Sequence, residues 1–205
     1  MDSNDENEEP ALWRQKVRRY CCMNYATIKN CDIANGPGVR VSLFVSGCTH
    51  RCKGCFNEVA WDFDYGEPFT QDTIDSIIAM LRPAYIKGLT ILGGEPFEPQ
   101  NQPAIVELLR QVKRELPEKS IWAFSGYLFD RDILAWRLGP REITEEYLSY
   151  LDVLVDGPFV ESKKNLSLRF RGSENQRLIH VPASLESGEI VLWNDWQAEG
   201  KGLRK

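Results

Sequence analysis

Two hydrophobic patterns alternate along this chain of 205 residues: short apolar runs, and apolar residues at three- and four-residue spacing. Runs of β-branched and aliphatic residues, the first at Val39–Val45, are typical of buried strands. Further strands are predicted at residues 88–92, 121–124, 153–155, 177–181 and 190–193. Between them, apolar residues recur at three- and four-residue spacing. This spacing predicts helices at residues 70–81, 102–116 and 143–150, the first with Thr70 as its N-terminal cap.

The alternation of strands and helices predicts an α/β fold built from βαβ units around a largely parallel sheet. Four polar or glycine-rich motifs directly follow predicted strands, at residues 47–57, 93–96, 125–126 and 156–157. Chemistry in such folds gathers at the carboxyl ends of strands, so the motifs predict one shared site. A closed eight-stranded barrel needs about 250 residues. We therefore expect an incomplete, open parallel β/α barrel.

Composition places the chain among ordinary globular proteins of one domain. We expect residues 1–22 to be a poorly ordered extension, because the first nine are acidic and carry no aromatic residue. Residues 23–205 are expected to form the domain, with a C-terminal tail after about residue 181. No apolar run predicts a membrane span, no signal peptide is evident and no basic stripe predicts nucleic-acid binding. The expected location is the cytoplasm.

Three cysteines, Cys48, Cys52 and Cys55, lie within eight residues. Closely spaced thiolates select zinc, copper(I) or an iron–sulfur cluster. A four-iron, four-sulfur cube normally takes four cysteines, so three would leave one iron open, as in catalytic metal sites. Zinc would need a fourth ligand, and His50 lies between two of the cysteines where it cannot converge with them. A disulfide framework is disfavoured by the odd number. The other cysteines, Cys21, Cys22 and Cys31, are expected to be ordinary thiols.

The triplet resembles that of radical S-adenosylmethionine enzymes, in which the amino and carboxylate groups of the methionine moiety chelate the open iron. The resemblance implies a 4Fe-4S cluster held by Cys48, Cys52 and Cys55, with S-adenosylmethionine beside it. It also implies that Gly54, Cys55 and Phe56 contact this cofactor, with Phe56 beside the adenine.

Gly93-Gly94-Glu95-Pro96 resembles the element of the same enzymes that receives the amino group of the cofactor. Glycines let backbone carbonyls approach a ligand closely, and the Glu95 carboxylate is a further acceptor, although it could be structural. Ser125 could hydrogen-bond the ribose or the methionine carboxylate, or simply cap a turn. Asp156 could be a turn residue. The polar segment 171–177 is expected to be a solvated loop, with contact to the cofactor or the partner as the alternative.

Motifs that keep their order from about Met23 to Val181 resemble the activating enzymes of anaerobic (class III) ribonucleotide reductase. They are Asn35-Gly36-Pro37-Gly38-Val39-Arg40, the cysteine segment, Trp122–Tyr127, Asp152–Phe159 and Arg171–Arg177. The resemblance implies an oxidoreductase whose cluster is reduced by a low-potential donor such as flavodoxin. S-adenosylmethionine is then cleaved, and the 5′-deoxyadenosyl radical takes a hydrogen from a glycine of the reductase.

Two alternatives stay open. The first is another radical S-adenosylmethionine enzyme, either an activase of a different glycyl-radical protein or a small-molecule enzyme such as the deazaguanine-forming synthases. The second is a non-catalytic iron–sulfur or zinc protein that serves as a carrier or scaffold.

Overall fold

The structure, a computed structural model, describes residues 23–194. The proposed extension with Cys21 and Cys22, and the end of the C-terminal tail, lie outside the described residues. Seven strands form one sheet in the order β3-β1-β2-β4-β5-β6-β7. The strands are β1 (Asn24–Asp32), β2 (Val39–Val45), β3 (Glu67–Pro68), β4 (Ile86–Gly93), β5 (Ser120–Phe124), β6 (Val153–Asp156) and β7 (Arg177–His180). The α-helices are α1 (Gln71–Leu81), α2 (Gln102–Glu115), α3 (Arg141–Tyr150) and α4 (Val181–Ser187).

The predicted α/β class is confirmed, and the sheet is parallel in its middle. Strands β2, β4, β5 and β6 run parallel, whereas β1, β3 and β7 pair antiparallel at the two edges. The turn from β1 to β2 spans only residues 33–38, which is too short for a parallel crossover. The expectation of a largely parallel sheet therefore holds for the four central strands and is wrong at the edges.

The predicted helices are confirmed to within two residues at each end. Thr70 caps α1: its hydroxyl accepts from the Thr73 N–H, and the Thr73 side chain accepts from the Thr70 N–H. The strand predicted at residues 190–193 does not form as a full strand, but the segment does pair with β7, by one antiparallel bridge between Leu192 and Ile179. The chain turns from β7 directly into α4, which is capped by the His180 side chain.

Both faces of the central sheet are buried, so its strands read as continuous apolar runs. Helices α1, α2 and α3 cover one face, where residues such as Ile77, Leu109 and Leu148 join Ile91 and Leu154 of the strands. Trp122 points to the other face with alternate residues of β6, and a smaller cluster containing Phe170 and Trp193 covers them. This second face leads to the carboxyl-end cavity described below.

Arg40 is fully buried beneath this second face and anchors the turn before β2. Its Nε donates to Thr90 Oγ1 at 2.7 Å, and Thr90 Oγ1 donates to the Asn35 carbonyl at 2.8 Å. Burial lowers the pKa of Arg40 to about 10, so the guanidinium stays charged at neutral pH. The chain of bonds fixes Asn35, which lines the cavity.

Candidate functional site

A cavity of about 440 Å³ opens at the carboxyl ends of the parallel strands. This volume lies in the range of small-molecule sites. Every residue predicted for the site lines it: Cys48, Cys52, Gly54, Cys55, Phe56, Gly93, Gly94, Glu95 and Ser125. These residues come from loops that follow three different strands, β2, β4 and β5. Parallel pairing brings the carboxyl ends of those strands to one edge of the sheet, and so brings the loops together.

The cysteine loop leaves β2 by a turn that requires glycine. Gly47 has φ +91°, and a Cβ there would lie 2.2 Å from the Phe63 ring. The loop is then tied to the chain downstream, because Gly47 N–H donates to the Ala60 carbonyl at 2.9 Å and Cys48 N–H to the Trp61 carbonyl at 3.2 Å. All three cysteines are half-buried free thiols.

The three thiols fit an iron–sulfur cluster by their chemistry. Each cysteine of a four-iron, four-sulfur cube binds a different iron, so the thiolates need not meet at one point. Cys48, Cys52 and Cys55 are half-buried and line one cavity, which is compatible with such a cluster. Within residues 23–194, no group of three His, Cys, Asp or Glu side chains is positioned to hold a single metal ion.

Burial favours the protonated form of two of the three thiols, Cys48 and Cys52. Burial raises the pKa of Cys48 to about 12, and the nearby charges of Glu95 and Glu98 add to this rise. Burial also raises the pKa of Cys52. Because only the thiolate ligates, metal binding at these residues must release protons.

The Glu95 carboxylate is hydrogen-bonded to other residues of the protein. It is 1% exposed. Its Oε1 accepts from Phe97 N–H at 2.8 Å and from Ser125 Oγ at 2.9 Å. Its Oε2 accepts from Gly126 N–H at 2.7 Å and lies 3.1 Å from His50 Nε2. Of the two roles considered for Glu95, this geometry favours the structural one, and it gives the Ser125 hydroxyl a partner within the protein.

The glycine pair is needed for packing of the chain against itself. A Cβ on Gly94 would lie 2.4 Å from the Gly47 carbonyl oxygen and 2.8 Å from that of Ala60. Gly93 has φ +118°, and a Cβ there would lie 2.6 Å from the backbone of Val45. Both positions thus allow β4 and the cysteine loop to approach closely, in addition to any contact with a ligand.

His50 belongs to the site, although its sequence position suggested no role. Its ring contacts Glu95, packs 4.3 Å from the Tyr127 ring and lines the cavity. Burial alone would lower the pKa of His50, but the hydrogen bond and charge of Glu95 raise it overall. The sequence places His50 between two cysteines, but this position does not indicate its partner, Glu95, which lies on another segment of the chain.

The opposite wall of the cavity comes from the segment between β6 and β7. Phe159, Lys164, Leu166 and Phe170 line it, as do Arg171, Gly172 and Gln176. Part of the segment 171–177 thus lines the cavity, and Ser173 within it is fully buried. Asp156 does not line the cavity. It is fully buried and accepts from Phe129 N–H at 2.8 Å and from the Arg177 guanidinium, which fixes the start of this wall.

Comparisons with known proteins agree with this geometry. The family model described as a 4Fe-4S single cluster domain matches residues 34–179. The chain is 44% identical over 158 residues to the anaerobic ribonucleoside-triphosphate reductase-activating protein of Enterobacteria phage T4, covering 76% of this chain and 93% of that protein. Proteins of the same name from Vibrio cholerae and Escherichia coli K12 are 43% and 42% identical. They cover 77% and 78% of this chain and 97% and 99% of their own lengths.

No helix within residues 23–194 is long and apolar enough to cross a membrane.

The family match spans most of the chain and contains the three cysteines, the glycine pair and the wall of the cavity. The relatives are matched along nearly their whole length. The chain therefore belongs to the 4Fe-4S single cluster domain family and, within it, to the anaerobic ribonucleoside-triphosphate reductase-activating proteins.

Proposed function

We propose that the chain is a radical S-adenosylmethionine activase that generates a glycyl radical on anaerobic ribonucleotide reductase. The observation that carries this proposal is the placement of Cys48, Cys52 and Cys55 on one wall of a cavity large enough for a small cofactor. The names of the relatives supply the partner.

Cys48, Cys52 and Cys55 would hold a 4Fe-4S cluster with one iron free of protein ligands. Such a cluster would supply the electron for reductive cleavage of S-adenosylmethionine, and the activase would thereby remove a hydrogen atom from a glycine of the reductase. The half-buried position of the thiols limits access of water to the ligands.

Cofactor binding would use backbone and apolar surface more than side-chain charge. The carbonyls of Gly93 and Gly94 are proposed to accept from the ammonium group, since the Glu95 carboxylate already accepts from the chain itself. Gly54, Cys55 and Phe56 line the same cavity and are proposed to contact the adenosine. Ser125 would contribute by fixing Glu95 and by its remaining acceptor capacity toward the cofactor.

An open site suits a protein substrate. Within residues 23–194 the sheet does not close on itself, because β3 and β7 lie at its two ends, and this supports the incomplete barrel that we propose for this fold. At the mouth of the cavity, the side chains of Phe56 and Leu166 are 82% and 91% exposed. A glycine loop of the reductase would enter past them. A low-potential donor such as flavodoxin would reduce the cluster in the cytoplasm, where thiols stay reduced.

The proposal is tested under anaerobic conditions with the reconstituted protein. After reduction, S-adenosylmethionine and the candidate reductase are added, and 5′-deoxyadenosine yield is measured beside the electron paramagnetic resonance spectrum. We expect a glycyl doublet on the reductase with matching 5′-deoxyadenosine in the wild type. The Cys52→Ala and Cys55→Ala variants should give neither, and the exposed-thiol variant Cys31→Ala should give both.

Other outcomes point elsewhere. Cleavage without the doublet would indicate a different radical substrate. An intact cluster that neither binds nor cleaves S-adenosylmethionine would indicate a carrier protein. Retained cleavage in Cys52→Ala or Cys55→Ala would refute the ligand assignment.

A further inference from the structure

The turn that joins β4 to α2, residues 94–101, holds the first half of the cysteine loop along its length. Gly94 N–H donates to the Val45 carbonyl and Glu95 N–H to the Gly47 carbonyl, both at 2.7 Å. The Asn101 side-chain amide donates to the Ser46 carbonyl at 2.9 Å. These hydrogen bonds fix the backbone between the end of β2 and Gly47, the residue before Cys48. None of them involves a side chain of the cysteine loop.

Glu98 continues this contact past Cys48. Its Oε1 accepts from Thr49 N–H at 2.8 Å and from Thr49 Oγ at 2.6 Å. Glu98 is 4% exposed, so water has little access to its carboxylate. Hydrogen bonds to an ionised acceptor are stronger than those between neutral groups, and two of them here converge on one residue of the loop.

The residues on either side of Thr49 are the ones whose placement matters. Cys48 precedes it and His50 follows it, and His50 is held by the second carboxylate of the turn, Glu95, at 3.1 Å. Both carboxylates therefore contact the loop at residues next to Cys48. A fixed Thr49 backbone restricts where the Cys48 thiol can point, because only the dihedral angles of Cys48 remain to be set.

We infer that Glu98 is a positioning residue for Cys48, acting through Thr49, and that it preforms this part of the cluster-binding loop. The inference rests on the proposed cluster, and its first test is made on protein without metal. Partners of metal ligands act in this way in other proteins, where their loss typically costs about 10- to 100-fold in metal affinity.

The second half of the loop provides a matched control. Lys53 Nζ lies 3.5 Å from Glu161 Oε2, and these side chains are 91% and 53% exposed. Exposed ion pairs contribute little to stability, because water competes and two long side chains must be ordered. Glu161→Ala therefore removes a carboxylate that contacts the cysteine loop without removing a buried hydrogen bond.

The first experiment measures amide hydrogen exchange in metal-free protein, in a peptide covering residues 47–50. Glu98→Ala should remove the protection of the Thr49 amide, whereas Glu161→Ala should leave it as in the wild type. Thr49→Val keeps the amide and loses only the hydroxyl bond and the 3.5 Å contact with Tyr127 Oη, so protection should fall partly. Thr49→Ser keeps the hydroxyl and should restore it.

The second experiment follows reconstituted protein that is matched for folded fraction by circular dichroism. Iron release to an excess of chelator should be about tenfold faster or more in Glu98→Ala. The spectrum of the reduced cluster should also change, which a loss of global stability alone would not produce. The double variant with Thr49→Val should release iron no faster than Glu98→Ala, because both changes remove the same contact.

Equal amide protection, iron release and spectrum in wild type, Glu98→Ala and Thr49→Val would overturn the inference. If Glu98→Ala does not fold, the test is made with Thr49→Val, a change at an exposed residue. The inference then requires altered amide protection and iron release in Thr49→Val and a return to wild-type values in Thr49→Ser. A wild-type protein that takes up no cluster would instead refute the proposed function, and the exchange result would still report whether Glu98 fixes the loop.

Discussion

Gly94→Ala introduces a methyl group where two parts of the chain already touch. The new Cβ would lie 2.4 Å from the Gly47 carbonyl oxygen and 2.8 Å from that of Ala60. Both neighbours are backbone atoms, so no side-chain rotation can relieve the contact. The φ angle of Gly94 is outside the left-handed region, which means that the effect is steric and not conformational.

The expected destabilisation follows from these contacts. The Gly47 carbonyl must move by several tenths of an ångström, and overpacking of this kind costs about 1–3 kcal/mol. The same movement weakens two hydrogen bonds, Gly94 N–H to Val45 and Glu95 N–H to Gly47. Each contributes about 0.5–1.5 kcal/mol. We expect the free energy of unfolding to fall by about 1–3 kcal/mol from overpacking alone, and by up to about 3 kcal/mol more if both hydrogen bonds are lost. The cysteine loop should shift with its first residue.

The assay is denaturant unfolding of metal-free protein under reducing conditions, followed by circular dichroism and tryptophan fluorescence. Gly188→Ala is the control: it has φ +72° and no atom within 4 Å of the new Cβ. It should cost only the strain of the left-handed backbone, about 1–2 kcal/mol. A Gly94→Ala protein within about 0.5 kcal/mol of the wild type would show that the close approach is not needed, since surface changes typically fall in that range.

Three further predictions follow from single contacts. Cys48→Ala should take up no cluster on reconstitution. The control Cys31→Ala removes an exposed thiol and should match the wild type in iron and sulfide content. Equal uptake of iron and sulfide by the two variants would contradict the ligand assignment. Ser125→Ala removes a buried donor to Glu95 and an acceptor for Tyr127 N–H, so unfolding free energy should fall by about 1–3 kcal/mol, and an unchanged value would argue against this contact. The hydrogen bond from Arg177 lowers the pKa of Asp130, so the folded state stays ionised at pH values where the unfolded state is protonated. The contribution of this contact to the free energy of unfolding is complete above the ordinary pKa of 3.8 and is lost as pH falls through the folded-state pKa of Asp130. Asp130→Asn should flatten this part of the curve of unfolding free energy against pH. Parallel curves for the variant and the wild type would exclude the effect.

The central strands and the helices were predictable because their signals are local. Val39–Val45 and residues 102–116 each contain their own hydrophobic period, and the structure places their bounds where that period begins and ends. The gathering of the cysteines, Gly94 and Ser125 was also predictable, because parallel strands bring their carboxyl ends to one edge.

The sheet edges were not predictable in the same way. Strand β3 has only two residues and carries no period of its own, and its existence depends on pairing with Asn24 and Tyr25. The segment at residues 190–193 has a strand-like composition but makes only one bridge, at Leu192. Edge pairing depends on which backbone groups remain available after the centre has formed, and this is a property of the whole sheet.

The sequence by itself determined the α/β class, the close spacing of the three cysteines and the order of motifs that identifies the family, since each is a matter of residue type and spacing. The tertiary structure decided the partners of the acidic residues beside them. Glu95 accepts from residues on three segments, and Glu98 reaches Thr49, which lies 49 positions earlier in the chain. A buried carboxylate must find donors wherever the fold brings them. Its role therefore follows from the packing of distant segments and not from the motif in which it lies.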